Sequence, residues 1–521
     1  MSLFSFVPGQ ARARWVQAAT ALVATSLLAG CGDTYRPVVT PISPSGPPAQ
    51  PSSLAVAISA PSTTTPGVAT VIDYSGDTIM ATAGIGPDPQ AFTIDESGST
   101  GYTINSDGTL TNFPISTQLQ QRNVTYSTLP TTSVPIGMFS PSSGLWITDL
   151  QGNLVDVLNS VPETFKLSVP VAPTPIAISG PVLIGQRNYS ISQNNVSTLP
   201  ANVIPFGVTC NVSPSSVTEN GEADAIEPSN FTVSARIPLG KCPVYGIQSP
   251  DRQRFFVLNR GSDTITVINS QTNALDTCTP FTNQNGQLVT CHPTLPLSLG
   301  AVAATGITPP NGTSGMTQTA GPVYAEYNQA TNQLVVSNYD GGTISIIDVS
   351  LDIYGNDSAT FGTTFTVKVG NTATPEPASV TVLADGSRAY TANQNDGTGD
   401  GTVSIVNLSS HTLEKTLAVV GHPRTVVSTM NSLYGKVYVA SPDSPYLSII
   451  RTDLDVVDTT ILLSGDTIDV RVTTQNGSSG NSNVTSRRPG GGQPCYLPTS
   501  VLDPGNSAAL TLQQCQSQTA P

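Results

Sequence analysis

Charge is scarce in this sequence. Only 10% of its 521 residues are Asp, Glu, Lys or Arg, against about 25% in an ordinary soluble protein. Long helices draw on Ala, Leu, Glu and Lys, and the shortage of lysine argues against a helical frame. Asp and Glu outnumber Lys and Arg by 34 to 20, for a formal net charge of −14. No basic face is left for nucleic acid to bind. Histidine is limited to His292, His411 and His422, and no CxxC pair occurs, so a zinc site is set aside. The chain has no G-x-S-x-G elbow, H-E-x-x-H helix, P-loop or dinucleotide fingerprint, and no cofactor is expected.

Ser, Thr, Asn, Gly and Pro take the place of charge, with 45 glycines and 43 prolines. That composition suits many short strands joined by tight polar turns. The N-terminus sets Arg12 and Arg14 before an apolar run from about Val16 to Leu28. The run has signal-peptide form and is short for a bilayer span. Its ending, Leu28-Ala29-Gly30-Cys31, resembles the bacterial lipobox. The resemblance implies cleavage after residue 30, lipidation of Cys31 and a membrane tether. Gly32 after the cysteine favours the outer membrane by the same analogy, so a periplasmic or surface-exposed envelope protein is expected. Residues 31–66 begin GDTYRPVVTPISPSGPPAQPSS after Cys31 and are read as an extended Pro/Ser-rich spacer. Residues 476–521 are read as an irregular Gly/Ser/Asn-rich tail.

Beyond Cys31 there are six cysteines, Cys210, Cys242, Cys278, Cys291, Cys495 and Cys515. An even number suits disulfides in an oxidising compartment. Spacing alone does not fix their connectivity; proximity in sequence favours Cys210–Cys242, Cys278–Cys291 and Cys495–Cys515.

Between spacer and tail, residues 67–475 carry a repeat. Each unit opens at a proline, runs through a short apolar strand and a Gly or polar turn, and continues into a strand ending in Asn or Asp. A polar loop and a strand of the form T-[VI]-S-[VI]-[IV]-[ND] follow. The clearest copies start at Pro243, Pro322, Pro377 and Pro423, and weaker ones at Pro89, Pro135 and Pro175. The long intervals after Pro175 and Pro243 hold four of the cysteines and are read as disulfide-stapled insertions. A strand such as TISIID is apolar on both faces, so one unit cannot shield itself. Stacking units in a ring covers both faces and leaves only short edges. The fold expected is an all-β propeller of four-stranded blades. Seven blades are favoured and eight allowed: the segment from Ala69 reads as the outer half of a unit, which would complete the last blade and close the ring or equally form an eighth, degenerate blade.

The segments YTANQNDGTGDGTVSIVN and LNRGSDTITVIN resemble the YVTN-type propeller repeat, in which a [YF]-V-x-N strand end precedes a T-V-S-V-I-D strand. The resemblance implies a propeller in an extracytoplasmic place. It implies no single activity, since relatives include lactonases, lyases, surface-layer proteins and assembly factors.

In the family layout, loops around the opening prolines surround the central channel. They bring Asp88, Gln90, Tyr245, Tyr324, Glu376, His422 and Arg424 forward as ligand-binding candidates, with His422, Arg424 and Glu376 as the candidate catalytic set. The strand-end series Asn105, Asp149, Asn259, Asn338 and Asn393 is read as structural, capping backbone amides of the following turn. Asp396 and Asp400 in NQNDGTGDG lack the spacing of an EF-hand, and the segment is read as a long hairpin loop. The function expected is a monomeric, lipid-anchored, non-catalytic binding or scaffold propeller with an envelope protein or glycan partner. The alternative is a periplasmic hydrolase or lyase resembling propeller lactonases.

Overall fold

The strand Thr343–Asp348, TISIID, is buried along all but its last residue, as a strand apolar on both faces must be if it lies between two other sheets. The computed structural model shows how the chain meets that demand. It describes residues 54–473 apart from 63, 74–75, 96, 131–134, 141–143, 160–163, 181–186, 195–218, 283–285, 287, 298–319, 374, 398 and 430–434, and it also describes 480–481 and 484–485. The signal segment, Cys31, Cys210, Cys495, Cys515 and the rest of the tail lie outside the described residues.

Eight antiparallel sheets form eight blades. Blade 2 opens at Pro89–Ile94, blade 3 at Pro135–Phe139, blade 4 at Pro175–Ser179 and blade 5 at Pro243–Gln248. Blade 6 opens at Pro322–Asn328, blade 7 at Pro377–Val382 and blade 8 at Thr425–Ser428. In each of these the opening strand is innermost and the next strands follow outward in chain order. Each innermost strand touches the next around the ring. Among the described residues the only helical element is the short 3-10 turn Gln121–Asn123.

Blade 1 is assembled from both ends of the ring. Its innermost strand is Asp466–Val472, and Leu54–Ala60, Pro66–Asp73 and Thr78–Pro87 follow outward. This strand exchange closes the ring and makes the eighth blade, so the allowed count holds over the favoured seven. Asp466–Val472 has no opening proline, and that absence hid it from a count of Pro-led units. Leu54–Ala60, buried throughout, falls within the segment read as spacer; the propeller begins at Leu54.

Two local features recur at the blade starts. The residue before the opening proline has a left-handed backbone at Asp88, Thr174, Cys242, Gly321 and Glu376, with φ from 40° to 61°. Only one of these is glycine, although side chains there cost about 1–3 kcal/mol. The register of the innermost strand then slips between Pro89 and Ala91, and likewise in blades 3 to 7. The bulge turns the chain from the outer edge of one blade into the centre of the next.

The expected Cys278–Cys291 bridge is present, with Cα atoms 5.5 Å apart. It closes the insertion on blade 5 that carries the hairpin Phe281–Thr282 and Leu288–Val289. Cys242 is also disulfide-bonded. Beside the insertion lies a buried ionic cluster. Arg254 Nη2 is 3.1 Å from Asp357 Oδ1 and 3.2 Å from Asp276 Oδ1. Asp357 Oδ2 also accepts from the His292 backbone N–H at 3.0 Å and meets His292 Nδ1 at 2.8 Å. In the tail, Gly480–Asn481 pairs with Val484–Thr485, and Asn481 pairs with Ser179 on the inner edge of blade 4.

Candidate functional site

The repeat motif accounts for itself through hydrogen bonds. Asn338 Nδ2 donates to Thr343 Oγ1 at 3.0 Å and Ser345 Oγ at 2.8 Å. Asn393 does the same with Thr402 and Ser404, Asn259 with Thr264 and Thr266, and Asn105 with Thr109 and Thr111. The strand-end Asn therefore ties the second strand of its blade to the hydroxyls of the T-x-[ST] run in the third. The expectation that these side chains cap turn amides is corrected for the four asparagines. It holds for Asp149, whose Oδ1 accepts from the N–H groups of Gln151 and Gly152. The capping role expected of the series is also taken one strand later, by Asn269, Asp348 and Asn407.

The loops before the opening prolines share a face with the turns joining second and third strands. There Ser106 donates to the Pro87 carbonyl, Arg260 to Cys242, Tyr339 to Gly321 and Gln394 to Glu376 through their backbone N–H groups. Side chains clasp neighbouring blades on the same face. Arg260 donates twice to Asp340, at 3.0 and 2.7 Å. Asp396 accepts the N–H groups of Asn371 and Thr372 and the hydroxyl of Thr402, while Asp400 accepts the Gly421 N–H. Both carboxylates of the NQNDGTGDG loop are thus engaged within the protein.

The sequence-derived candidates divide into separate groups. Gln90 Nε2 donates to the Asp88 carbonyl oxygen at 2.9 Å, and burial raises the Asp88 carboxyl above its ordinary pKa against the effect of Gln90. Glu376 accepts from Tyr339 Oη at 2.8 Å. His422 is exposed and lies against Asp443, with Nδ1 to Oδ2 at 2.5 Å and its backbone N–H to Oδ1 at 2.8 Å. Burial pushes Asp443 upward, but the bonds from His422 outweigh it and hold the carboxyl below the ordinary range. Arg424 is partly buried and donates to the Ile468 carbonyl at 2.9 Å. Glu376, His422 and Arg424 share no hydrogen-bond partner among these contacts, and each serves a local one. Tyr245 and Tyr324 are brought together, with ring centroids 4.7 Å apart.

Those two tyrosines share one register of the innermost strands. They occupy the position just after the bulge in blades 5 and 6, where Ser379, Thr425 and Asp469 stand in blades 7, 8 and 1. Two residues further on come Thr93, Ser179, Glu326, Thr381 and Arg471 of blades 2, 4, 6, 7 and 1. Residues of the opposite parity are largely apolar: Phe92 packs with Val56 and Val71 of blade 1, and Val470 with Tyr438 of blade 8. The polar register is buried yet incompletely paired. Thr93 Oγ1, Ser179 Oγ, Glu326 Oε1, Thr425 Oγ1 and Arg471 Nε and Nη1 have no hydrogen-bond partner. Native interiors leave few such groups; others lie on second and third strands, among them Trp146 Nε1, Ser190 Oγ and Ser337 Oγ.

Glu326, Asp469 and Arg471 were not singled out from the sequence. Burial raises the Glu326 carboxyl well above the ordinary range, against hydrogen bonds from the Val382 backbone and the Thr381 side chain. Thr381 Oγ1 also lies 2.9 Å from Ser428 Oγ, so polar contacts link the innermost strands of blades 6, 7 and 8. Arg471 is fully buried and donates from Nη2 to Asp469 Oδ2 at 2.8 Å. The available signal was the charged, alternating character of DTIDVRV in an otherwise apolar set of inner strands.

Comparison of the sequence with protein-family models and with curated proteins finds no match. Solved structures match at the level of fold. The apo form of AztD from Citrobacter koseri is 12% identical, with a TM-score of 0.51 over 81% of this chain and 97% of that one. Dihydro-heme d1 dehydrogenase NirN in complex with DHE is 12% identical, with a TM-score of 0.53 over 80% of this chain and 74% of that one. Identities this low carry the propeller architecture alone.

Proposed function

We propose that this chain is a lipid-anchored propeller of the bacterial cell envelope that binds another envelope component, protein or glycan, through its channel and inserted loops. Its repeats belong to the YVTN type, and Cys31 carries the lipid that holds it at the outer membrane. The observation that supports the binding reading is that polar side chains on the innermost strands of several blades keep buried, unpartnered atoms. Proteins retain such groups where a ligand or ordered water completes them. Glu376, His422 and Arg424 serve separate local contacts, which favours a frame over a catalytic constellation.

The test is affinity capture from detergent-solubilised envelopes with the wild-type protein and with Tyr245→Ala/Tyr324→Ala, both confirmed folded by thermal melt. A stoichiometric partner captured by the first and lost from the second is expected. Turnover of a lactone by the wild type, abolished in His422→Ala, would replace this reading with the hydrolase.

A further inference from the structure

One sheet does not end at its opening strand. In blade 4 the order runs inward past Pro175–Ser179 to Gly480–Asn481 and then Val484–Thr485, two short strands of the C-terminal tail. Asn481 pairs antiparallel with Ser179, and the tail strands pair with each other, Gly480 with Thr485 and Asn481 with Val484. In the other seven blades the innermost strand is the last of its sheet among the described residues. The inner margin of an innermost strand borders the central channel of a propeller, so the tail hairpin lies in that channel. Its neighbours agree. Gly480–Asn481 also approaches the innermost strands of blades 3 and 5, Pro135–Phe139 and Pro243–Gln248, and Val484–Thr485 approaches Pro89–Ile94 of blade 2. Four consecutive blades meet the same hairpin.

Both sides have a physical reason to meet. A bare strand margin presents N–H and C=O groups without ladder partners, and a strand from elsewhere satisfies them by adding to the sheet. The tail suits a narrow passage. From Asn476 to Ser486 it reads NGSSGNSNVTS, with Val484 the largest side chain and no charge, so its backbone can lie against other backbones. The tether is short. Gly480 stands eight residues past Val472, the end of the innermost strand of blade 1, and such a length reaches at most about 29 Å. A hairpin tied so closely to the channel wall is present there at an effective concentration of about 1 mM.

We propose that the inner edge of blade 4 is a strand-docking site whose resident occupant is the tail hairpin of this chain, and that an extended polypeptide segment of a partner displaces the hairpin to enter the channel there. The proposal rests on the reading of the channel as a binding site and adds a gate and a class of guest. The guest is main chain in extended form, held by strand addition. A glycan has no row of N–H and C=O groups to take the place of the tail, so the site favours the protein partner.

Two measurements on the full chain test it. Paired Cα atoms of neighbouring antiparallel strands stand about 4.5–5.5 Å apart, within the span of a disulfide. Ser179→Cys with Asn481→Cys should therefore close under mild oxidation, and non-reducing peptide mapping should recover the bond. Ser379→Cys on blade 7 with Asn481→Cys is the control and should stay open. The second measurement is fluorescence anisotropy with a labelled peptide of residues 475–488, added to the wild type and to Asn481→Pro, both confirmed folded by thermal melt. Proline cannot donate to the ladder, so the variant releases its own hairpin. It should bind the peptide about 10-fold more tightly than the wild type, as expected where about 1 mM of tethered hairpin competes with a Kd of about 0.1 mM. The peptide carrying Asn481→Pro should bind neither protein. Asn481→Pro should also capture more of an envelope partner than the wild type. No bond between the new cysteines, equal closure at blades 4 and 7, or equal peptide affinity for wild type and variant would each overturn the proposal. If the wild type captures a partner while Ser179→Cys/Asn481→Cys stays open, the gate falls and the binding propeller stands.

Discussion

Replacing Asp357 by Asn tests whether the insertion on blade 5 is held by charge or only by shape. Asp357 is buried and receives Arg254 Nη2 at 3.1 Å, the His292 N–H at 3.0 Å and His292 Nδ1 at 2.8 Å. The amide keeps the volume and one acceptor but removes the charge. Arg254 would then face Asp276 alone, and burial already raises the Asp276 carboxyl above its ordinary pKa while Arg254 opposes the shift. Removing one partner from a buried ion pair costs about 3–5 kcal/mol. With a urea m-value of about 4 kcal/mol per molar for a chain this large, the midpoint should fall by about 1 M. Because one blade can open before the rest, hydrogen exchange at Thr264–Asn269 and Thr294–Pro296 should rise with it. Arg254→Met and the double variant complete a thermodynamic cycle. A buried pair predicts coupling of about 1–3 kcal/mol. Additivity of the two substitutions within about 0.5 kcal/mol would refute the reasoning.

Three other expectations follow from the same structure. Burial holds the Glu326 carboxyl well above its ordinary value of 4.5, so its contribution to stability is complete below about pH 4.5 and is lost as pH rises through the folded-state value. Glu326→Gln should flatten that decline in melting temperature, and parallel wild-type and variant curves would disprove it. Asn338→Ala removes two buried hydrogen bonds, to Thr343 and Ser345, and should cost about 2 kcal/mol by chemical denaturation. Asp149→Ala, which loses turn contacts, should cost about 1 kcal/mol; equal losses would undo the distinction. Ending the chain at Leu463 removes the strand Asp466–Val472 and leaves the edge of Leu54–Ala60 open. Size-exclusion chromatography should show association through that edge, and a monomer resistant to protease would contradict it.

The ring was legible because its cause is local. Strands such as TISIID and TVSIVN have apolar side chains on both faces, and no other arrangement of such short sheets buries them all. The blade count was less legible because Asp466–Val472 carries no opening proline and its partner Leu54–Ala60 sits directly after a Pro/Ser-rich run. Tyr245 and Tyr324 could be placed near the axis from their position behind the opening proline. Arg471 could not, since its strand becomes the innermost of a blade only through pairing with Leu54–Ala60, hundreds of residues away. His422 stood out by rarity, and rarity is no guide to location: it lies exposed against Asp443. The asparagines show a subtler failure, because their hydroxyl partners were visible in every T-x-[ST] run but the geometry linking them was not.

The seam in blade 1 also sets a schedule. The Leu54 N–H finds its acceptor on Thr473, 419 positions later, and contacts that distant in sequence slow folding. During synthesis the first three strands must wait, with one margin bare, until the last strand arrives. A newly made chain is therefore most exposed to mispairing and to proteases at its beginning, and maturation completes there last.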